Sequence, residues 1–129
     1  MKRLLIVEDQ SADLRMAVEV IKSLGFSSIE ARTSSTAAKA YLEAVLEGKE
    51  PLPDVMIVDL DLGYESGFEL LRFRHSHSEL APVRLIVWTV LGEQQQQICR
   101  LFKVDAVVSK SEGVLALKRA LEPLVASAS

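Results

Sequence analysis

At 129 residues, 49% of them apolar and 26% charged, the chain has the length and composition of one globular domain able to bury its own core. A net charge of -3, with no clustered Lys/Arg face, argues against a surface dedicated to nucleic acid. The single cysteine, Cys99, excludes an internal disulfide and a thiolate zinc cluster, and within Gln97-Ile98-Cys99-Arg100 it reads as a small buried hydrophobe on a helix.

The start, Met1-Lys2-Arg3-Leu4-Leu5-Ile6-Val7, imitates a secretory signal for a few residues before Glu8 and Asp9 interrupt it. No apolar run approaches the roughly 18 residues of a membrane span, so a soluble cytoplasmic chain is expected. Residues 4–7 form an unbroken apolar run, the pattern of a strand buried on both faces of a parallel sheet. A helix follows, with Ser11 as N-cap, an apolar face of Leu14, Ala17, Val18 and Ile21, and a stop at Gly25. Residues 28–31 make a weak second strand, and the second helix shows Ala38, Tyr41, Leu42 and Val45 on one side before a break at 48–53.

The third strand, Val55-Met56-Ile57-Val58, runs directly into Asp59-Leu60-Asp61-Leu62-Gly63. Ser66-Gly67-Phe68-Glu69 reads as a capping box opening the third helix. A fourth buried run, residues 85–88, ends at Thr89 and leads into a glutamine-rich helix extending to about residue 102. The last strand, residues 106–108, ends at Ser109-Lys110; the final helix covers 113–121, and Pro123 is expected to end or kink it. One domain over residues 1–125 with a frayed tail at 126–129 is the expected organisation. Five strand and helix alternations predict an α/β fold: a doubly wound, five-stranded parallel sheet of flavodoxin-like order 2-1-3-4-5 with five helices.

Ligands of such sheets bind at the carboxyl ends of the strands, and the polar residues of this chain collect there. Glu8 and Asp9 follow the first strand, Asp59 ends the third, Thr89 the fourth and Lys110 the fifth. Taken singly, each is a turn residue or a solvated side chain; jointly placed at successive strand ends, they read as a site. Clustered carboxylates repel one another unless a cation joins them, and oxygen donors without His or Cys select Mg²⁺ over zinc or copper. This suits phosphoryl transfer. Asp59 is the candidate nucleophile, forming an aspartyl phosphate, with Mg²⁺ held through Glu8 or Asp9, Asp59 and the backbone carbonyl of Asp61. Lys110 would offset phosphoryl charge, and Thr89 would donate a hydrogen bond to a phosphoryl oxygen.

Leu5-Ile6-Val7-Glu8-Asp9, Val58-Asp59-Leu60 with Gly67 eight residues beyond the aspartate, Trp88-Thr89 and Ser109-Lys110 together resemble the receiver domain of bacterial response regulators, over essentially the whole chain. The resemblance implies Mg²⁺-dependent transfer from the phosphohistidine of a sensor histidine kinase or phosphotransfer protein to Asp59. It implies signalling to an effector through a shift on the face of the fourth helix, fifth strand and fifth helix, where two copies can also pair. Self-phosphorylation and self-dephosphorylation would be its only chemistry, with no direct contact to nucleic acid or membrane.

Four positions depart from the family pattern. Gly63 replaces a usual Pro and is expected to loosen its loop; Val90 replaces a small residue; Val107 stands where an aromatic switch usually rotates; Ser111 follows the lysine in place of Pro. The chemistry therefore reads as intact and the readout as altered. Asp61 and Leu91 flank the site, and Leu91 is expected to exclude water and slow self-dephosphorylation.

Two other classes compete. Asp59-Leu60-Asp61 also looks like the Asp-x-Asp of haloacid-dehalogenase-type phosphohydrolases, with Asp61 as general acid/base, but the order of the acids along this chain argues against it. A phosphate-independent binding module would use the glutamine run at 94–97 and the last helix as a partner surface. His75 and His77, near the end of the third helix, are expected to cap it or face solvent.

Overall fold

The computed structural model of the chain describes residues 2–90 and 92–128, with side chains to residue 125. In chain order the main elements are β1 (Arg3–Val7), α1 (Ser11–Ser23), β2 (Ser28–Arg32), α2 (Ser35–Leu46), β3 (Val55–Val58), α3 (Phe68–Ser76), β4 (Arg84–Thr89), α4 (Glu93–Arg100), β5 (Ala106–Ser109) and α5 (Val114–Ala128). The five strands pair in parallel in the order β2-β1-β3-β4-β5, the expected doubly wound arrangement. No helix among the described residues is long and apolar enough to cross a membrane.

Because successive strand side chains point to opposite faces, the continuous apolar runs feed two cores at once. Leu5, Val7, Met56, Val58, Leu85 and Val87 pack with Ala38, Tyr41 and Leu42 of α2, Leu70 and Leu71 of α3, and Cys99 of α4. Leu4, Ile6, Val55, Ile57, Ile86 and Trp88 face Ala17 and Ile21 of α1 and Leu117 and Leu121 of α5. Each of these side chains removed from water contributes roughly 1.5–3 kcal/mol, which is why β3, buried along its whole length, anchors the sheet.

The chain leaves β1 for β2 on one side and returns to β3 on the other, so a crevice opens between the ends of β1 and β3. Two backbone bonds carry the ladder one residue further: Glu8 N donates to Arg32 O (3.0 Å) and Asp59 N to Val7 O (3.0 Å). Both acids are thereby fixed at the crevice by main-chain geometry.

Several local expectations are corrected. Gln10, not Ser11, occupies the N-cap of α1, and no side chain caps it. Ser66 and Glu69 form no capping box: Gly67 is the N-cap of α3, and Ser66 Oγ accepts from Phe68 N at 3.2 Å. The reason is that Ser66 belongs to a small antiparallel hairpin, Asp61–Leu62 against Glu65–Ser66, that precedes the helix. Pro123 does not end α5; the helix passes through it to Ala128, into the segment expected to fray, while Ser129 lies outside the described residues. Leu124 and Val125 continue to pack on the α1/α5 core beyond Pro123, and that burial offsets the lost backbone hydrogen bond.

The same hairpin corrects the expectation of a loose loop at Gly63. Gly63 and Tyr64 form its two-residue turn, with Gly63 at φ +73° and Tyr64 not in the left-handed region, the pattern of a type II′ turn with Gly in first place. Proline, fixed near φ of about -65°, cannot occupy that position. Glu65 anchors the hairpin on the first turn of α2, where its carboxylate accepts from Thr36 N (3.2 Å) and from the Thr36 hydroxyl.

Replacing Ile57 by Ala, in the middle of β3, is expected to cost about 3 kcal/mol in urea unfolding, with no change in the cooperativity slope. Gly67→Ala tests the site's scaffold, because a Cβ there would collide with the Asp59 carbonyl oxygen and lie 2.9 Å from Leu60 Cα, all backbone. We expect a loss of at least about 2 kcal/mol with altered amide shifts at Asp59 and Leu60, and an unperturbed spectrum would contradict the close approach.

Candidate functional site

The carboxyl ends of β1, β3, β4 and β5 open on a cavity of ≈ 310 Å³ lined by Asp9, Gln10, Asp13, Asp59, Asp61, Gly63, Thr89, Val90 and Lys110. Asp59 is only 4% exposed. Its Oδ1 accepts from the Thr89 hydroxyl at 2.6 Å and from Asp61 N at 3.0 Å, and its Oδ2 from Lys110 Nζ at 2.8 Å. A buried carboxylate can exist here because both oxygens are met by donors.

Glu8 is as buried as Thr89, each 1% exposed. Its Oε2 accepts from Gln10 N at 3.1 Å and its Oε1 lies 2.7 Å from Lys110 Nζ. Burial raises the Glu8 pKa to about 7; the Lys110 and Gln10 hydrogen bonds oppose the rise, and the neighbouring charge of Asp59 adds to it. Lys110 shows the opposite balance. Burial alone would lower its pKa, yet hydrogen bonds to Asp59, Glu8 and Asp13 outweigh that and raise it, so the group remains an ammonium at neutral pH.

One oxygen each of Glu8, Asp9 and Asp59 lie within 4.8 Å of one another. At that spacing each pair of unit charges repels by about 3 kcal/mol for an effective dielectric of about 20, a conflict that a cation relieves. Asp9 Oδ1 is buried with no hydrogen-bond partner among the described residues. An all-oxygen donor set with such an unused oxygen fits a hard divalent cation and does not fit zinc or copper.

The sequence-derived set therefore assembles, with one qualification. Glu8, Asp9, Asp59, Thr89 and Lys110 come together; the Asp61 side chain is exposed and outside the carboxylate group, although the residue lines the cavity. Leu91 lies outside the described residues. Val107 packs at the edge of the α2/α3 core, and Val90 is 75% exposed. His77 closes the far end of α3, its Nδ1 2.7 Å from Phe73 O, and His75 stacks edge-on to Phe102. Gln94, Gln95 and Gln97 are exposed on α4, and Cys99 is fully buried.

Asp13 is the residue the sequence pattern does not single out. It stands in the first turn of α1, and its Oδ2 accepts from Lys110 Nζ at 2.9 Å. The available signal is its position in the first turn of the helix that leaves the acidic end of β1.

No family model matches the chain. In sequence it is similar to the phosphate regulon transcriptional regulatory protein PhoB of Escherichia coli, 27% identical over 97 residues, which cover 75% of this chain and 39% of PhoB. The chain thus matches about two fifths of PhoB's length. The polar-differentiation response regulator DivK of Brucella ovis is 26% identical over 110 residues, 84% of each protein. Among solved structures, the Mn²⁺-bound form of response regulator Rcp1 superposes with a TM-score of 0.79 at 24% identity, covering 96% of this chain and 91% of Rcp1. With its strand order and strand-end residues, the chain has the response regulator receiver fold, and the relatives it resembles in sequence include the response regulator DivK.

Proposed function

We propose that the chain is a phosphoacceptor that takes a phosphoryl group onto Asp59 from the phosphohistidine of a sensor histidine kinase or phosphotransfer protein. The observation that carries this reading is the setting of Asp59: a buried carboxylate at a strand end, with a hydroxyl and a backbone amide on one oxygen and an ammonium on the other. The likeness to response regulators supports it.

In this reading an Asp59 oxygen attacks phosphorus, the nitrogen–phosphorus bond breaks, and the electron pair leaves with the imidazole. Lys110 balances charge on a phosphoryl oxygen, and the Thr89 hydroxyl turns its hydrogen bond from Asp59 Oδ1 to that group. Glu8, Asp9 and Asp59, with the backbone carbonyl of Asp61, would hold Mg²⁺, which when bound neutralises the acids and the transferring oxygens. The Mn²⁺-bound form of Rcp1 agrees with a divalent cation at such a site.

Thr89 is already buried and turned towards Asp59, and Val107 offers no ring to follow it inward. The signal would therefore pass through backbone and Thr89 movement at the β4–α4 connection to an effector protein, not through an aromatic rotamer. Receiver domains are signalling domains and not turnover enzymes. The compartment implied is the cytoplasm, and pairing through the face of α4, β5 and α5 is the expected mode of any dimer.

Intact-mass measurement with Mg²⁺ and acetyl phosphate or phosphoramidate is expected to show one labile phosphoryl adduct, absent from Asp59→Ala. An adduct of equal yield on Asp59→Ala would remove Asp59 from this role.

A further inference from the structure

We propose that Asp13 is a positioning residue: it draws Lys110 towards α1 and thereby limits how tightly the lysine holds a phosphoryl oxygen on Asp59. The proposal rests on the reading of Asp59 as phosphoacceptor.

The argument is one of donor supply. An ammonium has three N–H donors. Three carboxylates surround Lys110 Nζ: it donates to Asp59 at 2.8 Å and Asp13 at 2.9 Å and pairs with Glu8 at 2.7 Å, so each approach to the ammonium is occupied by an acid. A phosphoryl oxygen arriving at Asp59 has to displace one of these partners. Glu8 is 1% exposed, so water cannot take the lysine's place beside it, and the cation proposed for the site would be left as its only counter-charge. The Asp13 side chain is 29% exposed, so water can replace the lysine there. Asp13 is thus the competitor that yields most readily. It also lines the same cavity, where its charge adds to the repulsion felt by an incoming anion.

Neither other task of the site needs Asp13. It is not among the carboxylates whose oxygens gather for a cation, and it makes no contact with Asp59 that would explain it as support for the nucleophile. Its one observed partner is the lysine, supplied by a segment 97 residues away in the chain.

Asp13→Asn keeps the size of the side chain and removes its charge. In the full chain with Mg²⁺, fluoroberyllate, a phosphoryl mimic, should bind about two- to fivefold more tightly to Asp13→Asn than to the wild type. Asp13→Glu should retain the wild-type affinity. The difference should shrink at high salt, since the Asp13–Lys110 pair is partly exposed. Trp88 is the only tryptophan, and Lys110 Nζ lies 5.1 Å from its ring, so its fluorescence serves for the titration. In metal-free protein the Lys110 side-chain nitrogen resonance should also move in Asp13→Asn and return in Asp13→Glu.

A merely structural role would weaken binding or leave it unchanged; tighter binding cannot arise from a damaged fold. Unchanged or weaker fluoroberyllate binding by Asp13→Asn, with normal binding by the wild type, overturns the proposal and leaves the phosphoacceptor reading standing. A wild type that binds no fluoroberyllate and gains no phosphoryl adduct overturns both.

Discussion

A single ammonium group holds together the acidic end of this sheet. Lys110 arrives from the end of β5, Asp59 from β3, Glu8 from β1 and Asp13 from α1, and Nζ lies within 2.9 Å of all three carboxylates. Without it, the buried acids would repel one another and lose much of their reason to remain charged. The parallel sheet makes this meeting available, because parallel strands deliver their carboxyl ends to one edge. The lysine makes it tolerable. Fold and site are in this sense one electrostatic arrangement.

The arrangement also separates two groups of side chains that share one cavity. Glu8, Asp9 and Asp59 form the oxygen cluster suited to a cation, while Thr89 and Lys110 lie against the two oxygens of Asp59 itself. Asp59 belongs to both sets, and in the proposed function it is where the charge of a cation and the chemistry of an acceptor would meet. Trp88 sits one residue before Thr89, a large buried ring of the α1/α5 core whose centroid is 5.1 Å from Lys110 Nζ. Groups as buried as Asp59, Glu8 and Thr89 feel a lower dielectric than water provides, so small changes of charge there carry large energies.

Most of this was legible in the sequence for a simple reason. Strands buried on both faces appear as apolar runs, and the residues that interrupt those runs at their carboxyl ends are the site. Residues 4–7 and 55–58 could be placed within a residue, and Glu8, Asp9, Asp59, Thr89 and Lys110 followed from them. What escaped depends on contacts distant in sequence. Asp13 looks like any acid in a first helical turn until Lys110 is placed opposite it. The Ser66 capping box failed because the hairpin partner Asp61 claims Ser66 first. The passage of α5 through Pro123 reflects packing of Leu124 and Val125 that no local rule contains.

The hairpin bearing Gly63 bears on how this protein could be engineered. Substituting the residue most frequent among relatives is a common way to stiffen a loop, and a proline in a loop often stabilises by restricting the unfolded chain. Here the backbone at position 63 is at φ +73°, inside a hydrogen-bonded turn tied to α2 through Glu65 and Thr36. The stiffness that a proline ring would supply is obtained here from pairing, and the two solutions exclude each other. A proline at position 63 would unpair the strand that holds Asp61 at the rim of the acidic cavity, so that substitution should be treated as a design error.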